Sequence, residues 1–249
     1  MPTVLITGCS SGFGLETARL FLDRGWNVVA TMRKPQPDVL PSSERLRLLA
    51  LDITDPDSIA QAVSDAGPID VLVNNAGFGA PIPVELTPLE TAHALFETNT
   101  LGTLAMTQAV LPQFRERSAG VIINVTSTAT LKPLPLVGVY RASKAAVNAF
   151  TESLAVEVEP FGVRVRLVLP GRSPETRFGA NAREHLYGMD HPAYASLFQR
   201  VFASLQDTSG PITHAPDVAQ AIWRAATDPT APMRIAAGTD AELWMAQVG

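Results

Sequence analysis

Tyr140 and Lys144 stand four residues apart in the stretch Val139-Tyr140-Arg141-Ala142-Ser143-Lys144, and Ser127 lies thirteen residues before the tyrosine. Residues four apart on a helix share one face, so this spacing brings a phenol and an ammonium together. A neighbouring cation favours phenolate and lowers a pKa that begins near ~10. Bringing it down by about two to three units takes roughly 3–4 kcal/mol, within reach of a desolvated ion–phenolate contact. Such a tyrosine exchanges protons with an alcohol or a ketone near neutral pH. The same spacing also arises as plain helix-surface decoration, so the rest of the chain has to supply a reason for it.

A second group of residues has the makings of a nucleotide site. Thr7-Gly8-Cys9-Ser10-Ser11-Gly12-Phe13-Gly14 follows the first apolar run directly and opens the first helix. Glycines there permit a tight turn and let backbone N–H groups approach a pyrophosphate, and the helix N-terminus adds favourable partial charge. The spacing is G-x-x-x-G-x-G, not the G-x-G-x-x-G of the common dinucleotide fingerprint. Ser10 and Ser11 add hydroxyl groups to the turn. At the end of the second strand, where NAD sites usually place an acid against the ribose 2′-hydroxyl, the chain reads Ala30-Thr31-Met32-Arg33-Lys34. No carboxylate there would repel a 2′-phosphate, and Arg33 can pair with one, so NADP(H) is the expected cofactor.

The elements that must position these residues follow from hydrophobic pattern. Short apolar runs predict strands at Val4–Thr7, Val28–Met32, Leu46–Leu51, Val71–Asn74, Gly120–Val125, Arg164–Leu169 and Met233–Ala236. Amphipathic stretches between them predict helices at Gly12–Arg24, Pro56–Ala66, Pro88–Arg117, Val139–Pro160 and Pro216–Asp228. The runs from Val28 to Leu169 are rich in Val, Ile and Leu without polar alternation, as expected of strands buried on both faces. Strand–helix alternation of this kind argues for right-handed βαβ units and an α/β, doubly wound parallel sheet in a single domain, residues 1–249. The rhythm breaks at about 172–215, where two short helices around Ala180–Tyr187 and Pro192–Ser204 are expected. An insert of this length reads as a helical lid over a binding site, with a structural crossover as the plainer alternative.

Bulk properties exclude several function classes. A net charge of −5 and the lack of any Lys/Arg run offer nothing for nucleic acid. Cys9 is the single cysteine, which rules out an intrachain disulfide and suits a reducing compartment. The first strand begins at once, without a charged leader, and no apolar run reaches about twenty residues, so no membrane association and a cytoplasmic location are expected. His93, His185, His191 and His214 show no metal-ligand spacing, and no metal is expected.

Taken together, the motifs resemble those of the short-chain dehydrogenases/reductases, in the branch of about 250 residues. The resemblance runs from Thr7 to about Pro170: the Thr7–Gly14 turn, Asp52-Ile53-Thr54, Asn74-Asn75-Ala76-Gly77, Asn99, Ser127, Tyr140, Lys144 and Pro170-Gly171. It implies a Rossmann-type fold with a catalytic tetrad of Asn99, Ser127, Tyr140 and Lys144. Tyr140 would donate a proton to the carbonyl oxygen as hydride arrives from the nicotinamide, while Ser127 orients and polarises that carbonyl. Lys144 would lower the tyrosine pKa and bond the nicotinamide ribose. Asn99 would bend its helix and hold a water that relays protons to Lys144. The resemblance also implies that Asp52 and Ile53 border the adenine, that Asn75, Ala76 and Gly77 let the backbone pass close to the cofactor, and that Pro170 and Gly171 support the nicotinamide side. The turn and the Ala30–Arg33 stretch look most like NADP-linked 17β-hydroxysteroid and retinol dehydrogenases. One departure is that Glu175 stands where the family usually has a threonine, with Thr176 one residue later; Thr176 is taken as the displaced contact. A homodimer or homotetramer through the long helices is implied as well.

The expected activity is NADP(H)-dependent interconversion of a carbonyl and an alcohol on a largely apolar small molecule, with carbonyl reduction favoured. Leu131, Leu134, Leu136, Val137 and Phe78, with Phe178, Tyr187, Leu197, Phe198 and Phe202 of the insert, are candidate pocket walls or core. The alternative is a non-catalytic, NADP(H)-sensing regulator on the same fold, which would not need Ser127, Tyr140 and Lys144 together. A longer-branch epimerase or dehydratase fits the glycine spacing less well.

Overall fold

Seven strands form one parallel sheet: β1 (Thr3–Ile6), β2 (Asn27–Met32), β3 (Leu46–Ala50), β4 (Val71–Asn74), β5 (Gly120–Val125), β6 (Val163–Pro170) and β7 (Arg234–Ala237). The structure is a computed structural model and describes residues 1–176, 182, 185–207 and 209–248. The strand order is β3-β2-β1-β4-β5-β6-β7. The direction of winding therefore reverses between β1 and β4, which is where open α/β sheets bind ligands, beyond the carboxyl ends of the strands.

Helices cover both faces. On one side α1 (Gly12–Asp23) and α7 (Ala215–Thr227) pack through Phe21, Leu22, Val218 and Ile222 onto β1, β2 and β5. On the other, α2 (Pro56–Ala66), α4 (Thr103–Arg117) and α5 (Gly138–Val158) bury Ile59, Met106, Val110, Phe114 and Val158 against Leu5, Leu72 and Ile122. Each fully buried Leu, Ile or Phe contributes about 2 kcal/mol of hydrophobic stabilisation. These two apolar layers explain why the strands carry no alternating pattern: both faces of β1, β4 and β5 are covered. Local signals set the helix ends. The Asp55 side chain accepts from Asp57 N–H at 3.0 Å at the start of α2, Pro56 follows it, and Gly67 closes the helix with φ 66°.

The expected strands are present within a residue or so of their predicted bounds. One expected helix differs. The run from Pro88 to Arg117 is α3 (Leu89–Phe96), a π-helical segment over Glu97–Gly102, and then α4. A π segment accommodates one extra residue within a continuous helix, and this changes no feature of composition. Beyond β7 a helix the sequence pattern did not reveal, α8 (Thr239–Ala246), closes the chain. In the insert, α6 (Ala195–Gln206) stands close to the expected Pro192–Ser204 helix. Of the other, expected over Ala180–Tyr187, residues 180, 181, 183 and 184 lie outside the described residues, as does Phe178, while 185–188 are turn and irregular chain. No helix among the described residues is long and apolar enough to cross a membrane.

Candidate active site

The residues singled out in the sequence converge on one edge of the sheet. Gly8 follows β1, Arg33 follows β2, Asp52 and Ile53 follow β3, Asn75–Gly77 follow β4, Ser127 follows β5, and Gly171 follows β6. Parallel strands all end on the same side, so these loops share one rim.

At the switch point the turn after β1 is locked to the turn after β4. The Thr7 hydroxyl accepts from Asn75 N–H at 2.9 Å and Ala76 N–H at 3.0 Å, while the Asn75 amide donates to Thr7 O at 2.9 Å and Gly8 O at 3.2 Å. Gly8 and Gly12 have φ of 75° and 58°, and a Cβ on Gly14 would strike the Gly8 carbonyl. The turn therefore brings its backbone as close to its own helix as chain sterics allow. Ser11 is the N-cap of α1 in extended conformation, its hydroxyl makes no capping bond, and no acid sits in the first turn. The leading N–H groups of α1 thus have no cap from the Ser11 side chain and no acid beside them, which is the condition of a helix N-terminus that suits an anion. Phe13, partly buried, packs against the core from this turn. Thr176 lies across the same turn: a Cβ on Gly12 would sit 3.5 Å from its side chain.

Arg33 is exposed at the rim next to Asp52. The Asp52 carboxylate is held below its ordinary range by bonds from the Thr54 N–H and hydroxyl, at 3.0 and 2.7 Å, with a further pull from the Arg33 charge. Ile53, buried, packs against Gly102 at the end of the π segment. This contact ties the loop after β3 to the helix that carries Asn99.

Asn99 is fully buried inside the π segment. Its carbonyl accepts from Phe78 N–H at 3.0 Å, and its amide donates to Phe78 O at 2.9 Å and to the Ser143 hydroxyl at 3.0 Å. Ser143 in turn donates to the Tyr140 carbonyl at 2.7 Å. One amide thereby joins the loop after β4 to the first turns of α5. Lys144 is also buried, and its Nζ donates to Val125 O at 3.0 Å. Beneath this layer Asn74 donates to Thr107 (3.1 Å) and Asn124 (2.9 Å), and Asn124 donates to Thr151 (2.8 Å), a buried polar chain linking β4 and β5 to α4 and α5.

Tyr140 and Ser127 are hydrogen-bonded through their side chains. Around the phenol stand Ala80, Ile82, Leu95 and Ala129, with Phe78, Leu86, Leu134, Val137 and Val139 against them. Burial pushes the phenol up to about 12, while the Ser127 bond pulls the other way. The direction is opposite to that expected from the Tyr-x-x-x-Lys spacing. The cause is desolvation, which acts on both groups: it also pushes Lys144 down to about 8. Ser127 is placed by its own turn, where it caps Thr128–Thr130 and accepts from Ala129 N–H at 3.1 Å. Just before α5, buried Leu136 adopts a left-handed φ of 64°, a conformation that costs an L-residue about 1–2 kcal/mol.

Leu86, packed against this cluster, also lines an open cavity of about 690 Å³ with Leu186, Tyr187, Met189 and Pro192 of the insert. The His185 ring lies against Phe78 with centroids 4.7 Å apart and the planes tilted by 37°. Among the expected walls, Leu134, Val137 and Phe78 pack on the Tyr140 cluster and Tyr187 lines the cavity, whereas Phe198 is buried against Phe202. Sequence reading missed the residues that act through others: Thr7, Ser143, Asn124 and Thr151. Only Asn124 carried a signal, as an amide inside an otherwise apolar strand.

A family model described as short chain dehydrogenase matches residues 2–186. A 3-ketodihydrosphingosine reductase from Bacteroides thetaiotaomicron is 42% identical over 172 residues, 68% of this chain; the chain spans 62% of that reductase. A short-chain dehydrogenase from Streptomyces avermitilis superposes with a TM-score of 0.85 at 32% identity, over 99% of this chain and 92% of that one. The closed form of a serine dehydrogenase complexed with NADP+ superposes with a TM-score of 0.82 at 28% identity, over 96% and 95% of the two chains. The chain carrying this seven-stranded sheet and glycine turn, with Asn99, Tyr140 and Lys144 buried and Ser127 half-buried beside them, belongs to the short chain dehydrogenase family.

Proposed function

We propose that this protein is an NADP(H)-dependent oxidoreductase that interconverts a carbonyl and an alcohol on a largely apolar small molecule, with Tyr140 as the proton donor and acceptor. The observation that carries the reading is the Tyr140–Ser127 hydrogen bond set within an apolar cluster, with Lys144 and Asn99 buried behind it. When bound, the nicotinamide supplies the hydride. The rest is the work of the chain. A substrate oxygen arriving there would take the Ser127 and Tyr140 hydrogens in place of the bond the two hydroxyls now share, a site for charge that develops on that oxygen. A phenol raised to about 12 stays protonated throughout the neutral range, so the proton needed for carbonyl reduction is in place, held by a weaker acid than one poised near the working pH. Lys144 holds a positive charge beneath it, and Asn99 fixes the loop and the helix around that charge.

Gly8, Ser10, Ser11, Gly12 and Gly14 would hold the pyrophosphate, Asp52 and Ile53 the adenine, Asn75–Gly77 the ribose side, and Pro170, Gly171 and Thr176 the nicotinamide end. Arg33, exposed at the rim without a carboxylate at the end of β2, would take a 2′-phosphate. The NADP+ bound to the serine dehydrogenase is consistent with this choice. The insert of 172–215 serves as the lid. The outer faces of α4 and α5, which frame a groove with Leu104, Leu111, Phe150 and Leu154, are the faces we assign to a homodimer or homotetramer.

The test is turnover of a carbonyl panel, spanning steroids, retinoids, quinones and small ketones, with NADPH and NADH at equal concentration. Reduction of apolar carbonyls with NADPH, weakened about tenfold to hundredfold by Arg33→Ala but unchanged with NADH, is expected. NADPH binding without turnover across the panel would refute the catalytic reading.

A further inference from the structure

Three segments distant in sequence, at 171–172, 213 and 237–240, meet at one buried carboxylate. Asp240, in the first turn of α8, is only 6% exposed. Its Oδ2 accepts from the Arg172 backbone N–H at 2.6 Å, and its Oδ1 accepts from the Thr213 hydroxyl at 2.6 Å. Thr213 is fully buried; its hydroxyl oxygen accepts from Gly171 N–H at 3.0 Å, and its own N–H donates to Arg172 O at 2.8 Å. The packing leaves no spare volume. A Cβ on Gly171 would fall on the Asp240 carboxyl, and one on Gly238, at φ 103°, would lie 2.7 Å from the Thr213 Cβ.

The place of this knot in the fold gives it a consequence. Gly171 and Arg172 are the exit from β6, and Thr213 is the approach to α7, so both roots of the 172–215 insert are joined here to each other and to α8. From the knot the Arg172 guanidinium reaches out to the carbonyls of Ser204, Leu205 and Asp207, capping the C-terminal end of α6. In the other direction the chain runs from Gly171 through the Ser173–Thr176 turn, closed by Thr176 Oγ1 donating to Ser173 O at 3.0 Å, to the Thr176 side chain lying over Gly12. A carboxylate withdrawn from water is costly unless its oxygens are bonded. These oxygens are bonded to the two insert roots, and they fix the strap that crosses the nucleotide turn.

We propose that Asp240 is a positioning residue for the cofactor site, acting through Arg172 and Thr213 to hold the Gly171–Thr176 strap over the Gly8–Gly14 turn. The inference rests on the NADP(H) reading of that turn and is independent of the substrate. Asp240→Asn can keep the knot: its remaining oxygen accepts from Arg172, its amide donates to the Thr213 oxygen, and the Thr213 hydrogen turns to Ala237 O, already 2.9 Å away. Asp240→Ala cannot. NADPH affinity, read by titrating the intrinsic fluorescence of the nucleotide well below the melting temperature, separates these cases. Asp240→Ala is expected to weaken NADPH at least about tenfold and Asp240→Asn to stay within about threefold of the wild type. Should Asp240→Ala not fold, Thr213→Val is expected to weaken NADPH at least about threefold and Thr213→Ser to restore it. A lowered melting temperature with wild-type NADPH affinity in the alanine or valine variant, or equal loss in Asp240→Asn and Asp240→Ala, overturns the proposal.

Discussion

Gly77 is packed against Lys144: a Cβ at position 77 would lie 3.1 Å from the lysine Nζ and 2.8 Å from the Asn99 Oδ1. The absence of a side chain there is thus part of how the ammonium and the amide are placed. Gly77→Ala must push one or both aside, disturbing groups that are buried and already hydrogen-bonded. Overpacking of this kind costs about 1–3 kcal/mol. The expected outcome is a lowered melting temperature together with a fall in kcat larger than any rise in the KM for NADPH. A Gly77→Ala enzyme with wild-type kcat would show that Lys144 does not need this position.

Tyr140→Phe removes the proposed proton donor while leaving the apolar cluster filled. Nucleotide binding is expected to be nearly intact and carbonyl reduction to fall by about 10²–10⁴-fold, the usual worth of a general acid. The raised phenol pKa adds a direction in pH. With the proton retained up to about 12, wild-type reduction should not decline through loss of that proton anywhere between pH 6 and 9, whereas alcohol oxidation, which needs the phenolate, should accelerate as pH rises. Reduction that falls steadily across the neutral range would contradict the assignment.

Lys144 makes a prediction about stability. Burial lowers its pKa from 10.5 to about 8 in the folded protein, so between those values the unfolded chain holds the extra proton. Wild-type stability contributed by this residue therefore rises with pH from about 8 to 10 and carries its full penalty, at most about 3 kcal/mol, below that window. Lys144→Met is expected to be inactive yet at least as stable as the wild type at pH 7, with its advantage shrinking as pH is raised to 10. Denaturant unfolding at pH 7, 8.5 and 10 reads this directly. A methionine variant less stable at pH 7 and gaining on the wild type with pH would reverse the sign.

Much of this site was legible because its parts sit where simple patterns end. Apolar runs mark β1 to β6, and the residues that follow each run fall on the rim. Tyr140 and Lys144 could be read from spacing because a helix fixes which positions share a face. The direction of the Tyr140 pKa could not, since spacing says nothing of the desolvation that raises it or of the Ser127 bond that pulls it down. Composition did not mark the π segment, because Glu97–Gly102 differs from helix by one inserted residue; only the resemblance, through the bend it implied at Asn99, pointed to a departure there. Helix α8 is short, with Asp240 and Glu242 in its first turn, so it reads as polar surface even though Asp240 is buried. Contacts such as Thr7 with Asn75, or Asp240 with Arg172, join residues 68 positions apart and leave no local trace.

Asn99 tests whether the π segment serves the site or merely tolerates it. Its amide hydrogens go to Phe78 O and to the Ser143 hydroxyl, and its oxygen takes Phe78 N–H. Asn99→Asp keeps the size but sets a carboxylate oxygen against the Phe78 carbonyl in a fully buried place. Burial and that carbonyl both disfavour the charged form, so the folded-state pKa of the new acid should lie above its unfolded value. Stability contributed by the protonated acid is then fully present below the unfolded pKa and is lost as pH rises through the folded one. At pH 7 the variant is expected to be destabilised by about 1–3 kcal/mol, the cost of a buried group left without its partner. It should recover part of its melting temperature near pH 5, where the wild type does not change in parallel. Catalysis should follow the same course, because the loop that carries Gly77 and the helix that carries Lys144 are held by this one side chain. An Asn99→Asp protein whose stability and kcat show the same pH dependence as the wild type would mean that the Phe78 and Ser143 bonds do not position the site.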